Sequence, residues 1–259
     1  MSSNKLVLIG SGIKSLSHLT EEAKAYIKQA DHVLYLVNEP VAKAYIEQQS
    51  VSSESLEPIY FKHADRRKAY SELSTHITSE LSKYKVMAVV MYGHPTVFAA
   101  PGLSAIRQAQ EHGIETLIVP GISAEDCLFA DLAIDPGAVG CMSLEATEFL
   151  TKKRLLDNQC HVILWQVAML GSLTHESSED LSQLLTMFRE KLLTYYDRDD
   201  IAYVYEAAIY PGFKPKVTQF KLNHLHKQDF TSLSTLYIPP NTTAQLDQDI
   251  VAKLRLENK

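Results

Sequence analysis

An arginine and a tyrosine four residues apart form a candidate proton-handling pair. They lie in the run Tyr60-Phe-Lys-His-Ala-Asp65-Arg66-Arg-Lys-Ala-Tyr70, where Asp65 is a suitable N-cap for a helix that begins near Arg66. Residues i and i+4 share one helix face, so the guanidinium of Arg66 and the phenol of Tyr70 come within reach of each other. A guanidinium favours the phenolate and lowers a phenol pKa that is ordinarily about 10. The spacing therefore makes Tyr70 a candidate general base beside Arg66.

The spacing by itself leaves a second interpretation open. Arg–Tyr pairs on helices commonly lie on a solvated face or form a surface cation–π contact, and the chain has 13 tyrosines from which such pairs arise by chance. Two further phenols are candidates: Tyr60, just before the helix, and Tyr92, after the next predicted strand. Tyr92 begins the turn Tyr92-Gly-His94-Pro-Thr-Val97, in which the histidine either packs locally or takes part in chemistry.

Two loops follow buried strands at points where open α/β sheets bind small molecules. The first is the Tyr92 turn, which follows the apolar run 86–90. The second follows 116–119 and reads Pro120-Gly-Ile-Ser-Ala124-Glu-Asp-Cys127. A tyrosine hydroxyl and an imidazole at such an edge favour a ligand or a reaction over a scaffold turn.

The elements that position these loops alternate between strand and helix in the first half of the chain. Strands are predicted at 5–10, 32–37, 86–91 and 116–119, with helices at 20–30, 39–48, 66–84 and 101–112, and this βαβ rhythm predicts a parallel sheet. The second half predicts strands at 141–144, 162–167, 201–207, 217–222 and 235–238, one helix at 179–195 and a mixed sheet. We therefore predict two α/β domains, 1–119 and 120–240, a polar tail at 241–259, and an active site in the crevice between the domains.

Several function classes are disfavoured. The loop Gly10-Ser-Gly12-Ile-Lys-Ser15 has serine in place of the third glycine of a dinucleotide fingerprint, and no acidic residue ends the second strand. A net charge of −6 argues against nucleic acid, and no run approaches the roughly 20 apolar residues of a membrane span. The three cysteines (Cys127, Cys141 and Cys160) have neither disulfide-framework nor zinc spacing. We expect a cytoplasmic protein with no metal.

The sequences of the two strand-exit loops closely resemble those of the borosin family. The members of this family are peptide backbone α-N-methyltransferases that use S-adenosylmethionine. The resemblance rests on Tyr92-Gly-His-Pro-Thr-Val-Phe98 and on the seventeen residues from Pro120 to Pro136, and it extends to Ser234-Thr-Leu-Tyr-Ile-Pro-Pro240. The same fold serves the tetrapyrrole methylases and diphthine synthase. Where tetrapyrrole methylases usually have Gly-Asp-Pro, this chain has Gly93-His94-Pro95, as the borosin enzymes do.

The resemblance implies roles for particular residues. It implies that Tyr60, Arg66, Tyr70 and Tyr92 are catalytic. It implies contacts with S-adenosylmethionine, whose product is S-adenosylhomocysteine, for a further set: Tyr92, His94, Val97, Ala124, Gln166, Ser234 and Thr235. For Ser234 and Thr235, simple capping of a strand start is the alternative that the sequence alone would favour.

The resemblance also implies a substrate and partners. Founding members of the family carry their substrate as a C-terminal extension, whereas this sequence ends at Lys259 soon after the last predicted strand. We therefore expect the split form, which methylates a separate, ribosomally made precursor peptide in trans. We expect a homodimer that forms a heterotetramer with its substrate. The alternative is a small-molecule C-methyltransferase of the tetrapyrrole or precorrin type.

Overall fold

The computed structural model describes residues 4–254. The described chain forms two compact units, and the first contains a sheet and the helices that cover it. Its strands are β1 (Lys5–Gly10), β2 (His32–Leu36), β3 (Ser53–Ser55), β4 (Val86–Met91) and β5 (Glu115–Val119). Its helices are α1 (Glu21–Gln29), α2 (Pro40–Gln49), α3 (Glu57–Tyr60), α4 (Arg66–Glu80), α5 (Ala100–Glu111) and α6 (Ala124–Asp131). The sheet order is β3-β2-β4-β1-β5, and every pair is parallel.

Alternation along β1 explains why this sheet is covered on both faces. Leu6 and Leu8 point into one apolar cluster, and Val7 and Ile9 point into another on the opposite face. Apolar strands without a polar face are typical of parallel sheets between two helix layers. Because all strands run the same way, their carboxyl ends meet at one edge, where Gly10 is paired in register with Met91. The loops that the sequence singles out leave from that edge.

The second unit has a mixed sheet of order β6-β7-β10-β8-β9. Strands β6 and β7 are parallel, and β10 is antiparallel to both β7 and β8. The strands are β6 (Cys141–Glu145), β7 (His161–Trp165), β8 (Ile201–Glu206), β9 (Lys216–Lys221) and β10 (Thr235–Ile238). The helices are α7 (Pro136–Val139), α8 (Ala146–Thr151), α9 (Leu181–Leu192) and α10 (Gln248–Lys253). Its core is centred on Phe149, Phe188 and Leu192, which are fully buried.

The fold class predicted from the sequence is confirmed: one unit has a wholly parallel sheet and the other a mixed one. Short elements were not predicted, because four residues such as Glu57–Tyr60 give too little periodicity to read. The predicted helix over 66–84 ends earlier, at Glu80, where Lys83 N–H bonds the Glu80 carbonyl in a tight turn. Within residues 4–254, no helix is long and apolar enough to cross a membrane.

The two units are not simple halves of the chain. Among the described residues, the first comprises the chain up to Ile134 together with Gly171–Ser178 and Glu206–Lys216, and the second comprises the others. The chain changes unit between Ile134 and Asp135, beyond the predicted boundary near Pro120. The loop after β5 stays with the first unit, where Gly121 is in contact with the backbones of Gly10 and Gly93. Two later segments thus return to the first unit, which the linear sequence does not signal.

Candidate active site

Three strand-exit loops meet backbone to backbone at the carboxyl edge of the parallel sheet. Gly12 and Gly93 form a β-bridge in which each N–H donates to the other's carbonyl, at 3.0 and 3.1 Å. A Cβ placed on Gly10 would lie 2.6 Å from the Gly93 carbonyl oxygen, and one on Gly121 would lie 2.5 Å from the same atom. Because these backbone segments are in contact, neither Gly10 nor Gly121 has room for a side chain. The loops after β1, β4 and β5 therefore converge on a surface made of main chain, which we call the cradle.

The loop after β4 carries three of the predicted donor-site residues. Tyr92 anchors it by donating its N–H to the Leu36 carbonyl at 3.1 Å, and its half-buried phenol has a pKa raised to about 12, mainly by burial. The Nδ1 of His94 accepts from Thr96, 3.3 Å from its backbone nitrogen and 3.0 Å from its hydroxyl. Val97 is partly exposed at the end of this turn. Ala124, the fourth predicted residue in this unit, is the first residue of α6, directly after the Gly121 loop.

Tyr60, Arg66 and Tyr70 come together in the first unit. Asp65 caps α4 through the Arg67 N–H, as predicted, so Arg66 and Tyr70 occupy one face of its first turns. Tyr60 ends α3, and its ring lies nearly parallel to that of Tyr70, at 6.2 Å between centroids. Both phenols pack against the apolar cluster that also contains Leu36 and Met91, the last residues of β2 and β4. Because α3 follows parallel strand β3 and α4 begins next, Tyr60 and Arg66 lie beyond the carboxyl ends of the strands, as the Tyr92 loop does.

The sequence predicts that the charge of Arg66 acts on the phenol of Tyr70, whereas the structure shows that it acts on the phenol of Tyr60. Burial raises the pKa of Tyr60 to about 12, Tyr70 adds to the rise, and the charge of Arg66 opposes it. The guanidinium thus acts on the phenol of Tyr60, which stays protonated at neutral pH. A neutral phenol can donate a hydrogen bond to a developing negative charge.

The Gly171–Ser178 segment, which the sequence analysis did not single out, completes the surroundings of this group. Arg66 binds it twice: its guanidinium donates to the Ser172 carbonyl and its backbone N–H to the Leu173 carbonyl, both at 2.8 Å. His175 of the same segment lies edge-on to Tyr60, with 4.5 Å between ring centroids. No local sequence signal joins residues more than a hundred positions apart, so only the folded chain reveals this contact.

The remaining predicted residues form a group of their own in the second unit. Gln166 follows β7 with a left-handed φ of 58°, and Ser234 and Thr235 are buried at the start of β10. In the antiparallel register Leu236 lies opposite Leu164, so the start of β10 lies beside the end of β7, which Gln166 follows. A glutamine in this conformation stores strain of about 1–3 kcal/mol and is found disproportionately at functional positions. The hydroxyl of Ser234 accepts from the Thr231 N–H at 2.8 Å, which is also the capping role considered as the alternative.

A buried carboxylate organises the loops behind the β1 and β2 ends. Glu39 caps α2 by accepting from the N–H groups of Val41 and Ala42, and it also accepts from the hydroxyls of Ser15 and Tyr210. Burial acts to raise the pKa of Glu39, but these hydrogen bonds outweigh it and leave the pKa below its ordinary value of 4.5. Tyr210 belongs to Glu206–Lys216, so Glu39 also ties that returning segment to the first unit.

The replacement Glu39→Gln is expected to destabilise the protein by about 1–3 kcal/mol at pH 7, since its amide nitrogen would face buried donors. A carboxylate whose folded-state pKa is depressed contributes stability above its unfolded pKa and loses it as the pH falls through the folded value. The difference from wild type should therefore shrink as the pH is lowered from about 4.5. Urea unfolding across this range measures it, with the exposed Glu22→Gln as the control; a constant difference at all pH values would contradict this assignment.

No group of three or more His, Cys, Asp or Glu residues that could hold a metal ion occurs within the described part of the chain.

The carboxyl edge of a parallel sheet is where open α/β folds bind small molecules. The family model for Tetrapyrrole (Corrin/Porphyrin) Methylases matches residues 5–221. The chain belongs to the tetrapyrrole methylase family.

One curated relative is named "Methyltransferase/ribosomally synthesized type I borosin cyclic peptide precursor mroMa1", from Mycena rosella. It is 36% identical over 256 residues, an alignment that covers 97% of this chain and 64% of the relative. The chain thus spans less than two thirds of that protein's length. This identity of 36% confirms the similarity to borosin enzymes that is inferred from the sequence.

Solved structures agree on the fold. The uroporphyrin-III-C-methyltransferase from Thermus thermophilus gives a TM-score of 0.66 at 16% identity, covering 93% of each chain. A structure of the same enzyme complexed with S-adenosylhomocysteine gives 0.62 at 15% identity, covering 91% of this chain and 97% of the other. At such identities the likeness establishes the fold alone.

Proposed function

We propose that this protein is an S-adenosylmethionine-dependent methyltransferase that acts on backbone amide nitrogens of a ribosomally made peptide. The observation that carries this proposal is the grouping of Tyr60, Arg66 and Tyr70 at the carboxyl edge of the sheet. It is supported by 36% identity to a relative whose name joins a methyltransferase to a borosin peptide precursor. Tetrapyrrole C-methylation, the alternative, has support from the family model and from fold likeness at 16% identity.

The residues of the first unit fit S-adenosylmethionine. Gly10 and Gly121 bring their loops into main-chain contact with the Gly93 carbonyl, where neither position has space for a Cβ. Tyr92 begins one of these loops and Ala124 directly follows another. We propose that these loops, with His94 and Val97, hold the donor, together with Gln166, Ser234 and Thr235. When bound, the cofactor supplies an electrophilic methyl group on a positively charged sulfur. A structural relative of the same fold was solved with S-adenosylhomocysteine, which supports this choice.

The remaining task of the protein is to make an amide nitrogen nucleophilic. Its lone pair is delocalised into the carbonyl, so the N–H proton must leave and charge must build on the carbonyl oxygen. We propose that Tyr70 takes or relays the proton. Tyr60, kept neutral by a pKa of about 12, and Arg66 stabilise the oxygen. Tyr92 positions the amide against the donor.

The direct test is to incubate the purified chain with S-adenosylmethionine and a candidate precursor peptide. We expect tandem mass spectrometry to locate the added methyl groups on backbone amides. Uroporphyrinogen III serves as the competing substrate, and its methylation in place of the peptide would establish the alternative. Methylation confined to side chains would contradict the proposal.

We also propose that the peptide is a separate chain bound in trans by a homodimer, so that the complex is a heterotetramer. The mass in solution should then be about twice the 29.0 kDa of one chain before peptide is added, and should rise by two peptides afterwards. Light scattering after size exclusion measures both values. Methylation only of a peptide fused to the enzyme would refute action in trans while leaving amide methylation intact.

A further inference from the structure

His18 holds the loop after β1 by accepting two hydrogen bonds from the loop backbone. Its Nδ1 lies 3.2 Å from the backbone nitrogen of Ile13 and 3.1 Å from that of Lys14. A backbone N–H only donates, so Nδ1 must be the acceptor, and the ring hydrogen of the neutral imidazole is on Nε2. Protonation of Nδ1 would remove both hydrogen bonds at once. The observed loop conformation therefore requires a neutral His18.

The loop that His18 holds has two residues in the left-handed region of backbone conformation. Gly12 has a φ of 73°, and Ser15, which carries a side chain, has a φ of 42°. Residues other than glycine rarely adopt this region, and they keep it where the surrounding structure imposes it. Two side chains contribute here. His18 binds the two N–H groups that lie between these positions, and Glu39 accepts from the Ser15 hydroxyl at 2.7 Å.

His18 also packs on the glycine that joins this loop to the loop after β4. A Cβ placed on Gly12 would lie 2.1 Å from the Cβ of His18. The Gly12 N–H donates to the Gly93 carbonyl at 3.0 Å, and the Gly12 carbonyl accepts from the Gly93 N–H at 3.1 Å. Gly93 lies between Tyr92 and His94. The backbone of Gly12 therefore connects the loop that His18 holds to the loop that carries two of the proposed donor contacts.

We propose that His18 is a positioning residue for the methyl donor, an inference that rests on the proposed use of S-adenosylmethionine. The neutral imidazole holds the loop after β1 in the conformation that pairs with Gly93, and this pairing shapes the cradle. Protonated His18 releases the N–H groups of Ile13 and Lys14, so the loop relaxes and the donor binds less tightly. Because binding and protonation are linked, a donor that requires neutral His18 also makes that imidazole harder to protonate.

The surroundings of His18 favour its neutral form. Burial lowers the pKa of His18 below its ordinary value of 6.5, and the positive charge of Lys14 lowers it further. The carboxylates of Asp126 and Asp131, on α6, act in the opposite direction but do not outweigh burial. The imidazole is therefore neutral at pH 7.5 and becomes protonated as the pH falls below 6.5.

Two other titratable groups belong to the helices around this loop, and both keep one main charge state in that range. Glu39 of α2 stays mainly ionised at pH 5, because its hydrogen bonds hold its pKa below 4.5. Cys127 of α6 stays an uncharged thiol, because burial raises its pKa to about 11. A change in donor binding over this range that depends on the side chain at position 18 is therefore due to the imidazole.

The variants His18→Ala and His18→Gln test this role together. Alanine keeps the Cβ next to Gly12 and removes the acceptor of two N–H groups, so we expect it to weaken binding of S-adenosylhomocysteine about 30-fold at pH 7.5. The glutamine side-chain oxygen can accept from the same N–H groups and does not titrate. We expect His18→Gln to bind within about threefold of wild type. Isothermal titration calorimetry measures both affinities without turnover.

The pH dependence separates positioning by the imidazole from packing alone. Lowering the pH from 7.5 to 5 should weaken binding by the wild type about fivefold relative to His18→Gln, because the neutral imidazole is lost below pH 6.5. Any titration of His94 is common to both proteins and cancels in this ratio. A ratio that is constant at all pH values would overturn the proposal, and so would a glutamine variant that binds no better than His18→Ala.

Amide hydrogen exchange examines the loop without the donor. Protection of the Ile13 and Lys14 amides should fall in His18→Ala and be restored in His18→Gln, and unchanged protection in His18→Ala would also overturn the proposal. His112→Ala is the matched control, an exposed histidine whose Nδ1 bonds the Gln108 carbonyl at 2.7 Å, and it should change neither affinity nor exchange. If the wild-type protein binds no S-adenosylhomocysteine at any pH, the proposed donor use fails and this inference fails with it, even where exchange shows that His18 protects the two amides.

Discussion

Replacing Arg66 by alanine, or Tyr70 by phenylalanine, should each lower the single-turnover rate of peptide methylation by at least about 1,000-fold. Tyr70→Phe keeps the ring that lies 6.2 Å from Tyr60 and removes only the hydroxyl. The amide proton then has no first acceptor, so the nitrogen remains a poor nucleophile. Arg66→Ala removes the positive charge that opposes the elevated pKa of Tyr60. We propose that the same charge stabilises the carbonyl oxygen of the reacting amide.

Two controls isolate these roles. Arg67→Ala removes a guanidinium from the neighbouring position, where it is exposed and paired with Asp65, and Tyr45→Phe removes a hydroxyl from half-buried Tyr45 of α2. Both should retain rates within about twofold of wild type, the range of surface substitutions that touch no functional group. Normal rates in Tyr70→Phe and Arg66→Ala would refute the assignment of these residues.

Arg66 also holds the Gly171–Ser178 segment, so a structural loss must be separated from a chemical one. Arg66→Lys keeps a positive charge but lacks the planar fork that reaches the Ser172 carbonyl. We expect it to recover part of the rate lost in Arg66→Ala. A rate equal to that of the alanine variant, with the segment newly sensitive to protease, would assign Arg66 to anchoring and not to charge.

Gly121→Ala should weaken the binding of S-adenosylhomocysteine by at least about 100-fold, which corresponds to about 2.7 kcal/mol. The added Cβ would lie 2.5 Å from the Gly93 carbonyl oxygen and 2.8 Å from the carbonyl atoms of Gly10. All of these are backbone atoms, which cannot rotate aside as a side chain would. Overpacking of this kind typically costs about 1–3 kcal/mol, and here the strain must move the three loops that form the cradle.

Isothermal titration calorimetry with S-adenosylhomocysteine measures this loss without requiring turnover. Gly137→Ala is the control, since its backbone φ is also ordinary and its nearest neighbour is a side-chain oxygen of Asp135 at 3.0 Å. It should bind as wild type does. Affinity within about threefold of wild type in Gly121→Ala would show that the glycine convergence is not the donor site; a fall in melting temperature with unchanged affinity would limit Gly121 to stability.

Periodicity predicts the long elements well, because a buried strand or an amphipathic helix is encoded by neighbouring residues. The run Leu6 to Ile9 and the N-cap Asp65 are local signals, and both elements form where expected. Arg66 and Tyr70 share a helix face for the same reason. The short helix Glu57–Tyr60 is not predicted, because four residues are too few to show a helical period. This helix nevertheless sets the position of the Tyr60 phenol.

Other properties of the site depend on contacts between residues far apart in the chain. The pKa of Tyr60 is set by burial under elements that follow it, and the sequence suggests instead that Arg66 acts chiefly on Tyr70. The two glycines of the β1 loop can be explained locally as a tight turn. Their second role, close approach to Gly93 and Gly121, appears only when three parallel strands end side by side.

The amino-acid sequence by itself determines the α/β class, the strand ends from which the site is built, and the resemblance that identifies Tyr60, Arg66, Tyr70 and Tyr92. These follow from local patterns and from motifs within single loops. Only the tertiary structure brings Gly171–Ser178 back to the first unit and places the ring of His175 against that of Tyr60. The physical reason is that hydrogen bonds and desolvation depend on which groups are close in space. Residues that are far apart along the chain give no local sequence pattern that would reveal such a contact.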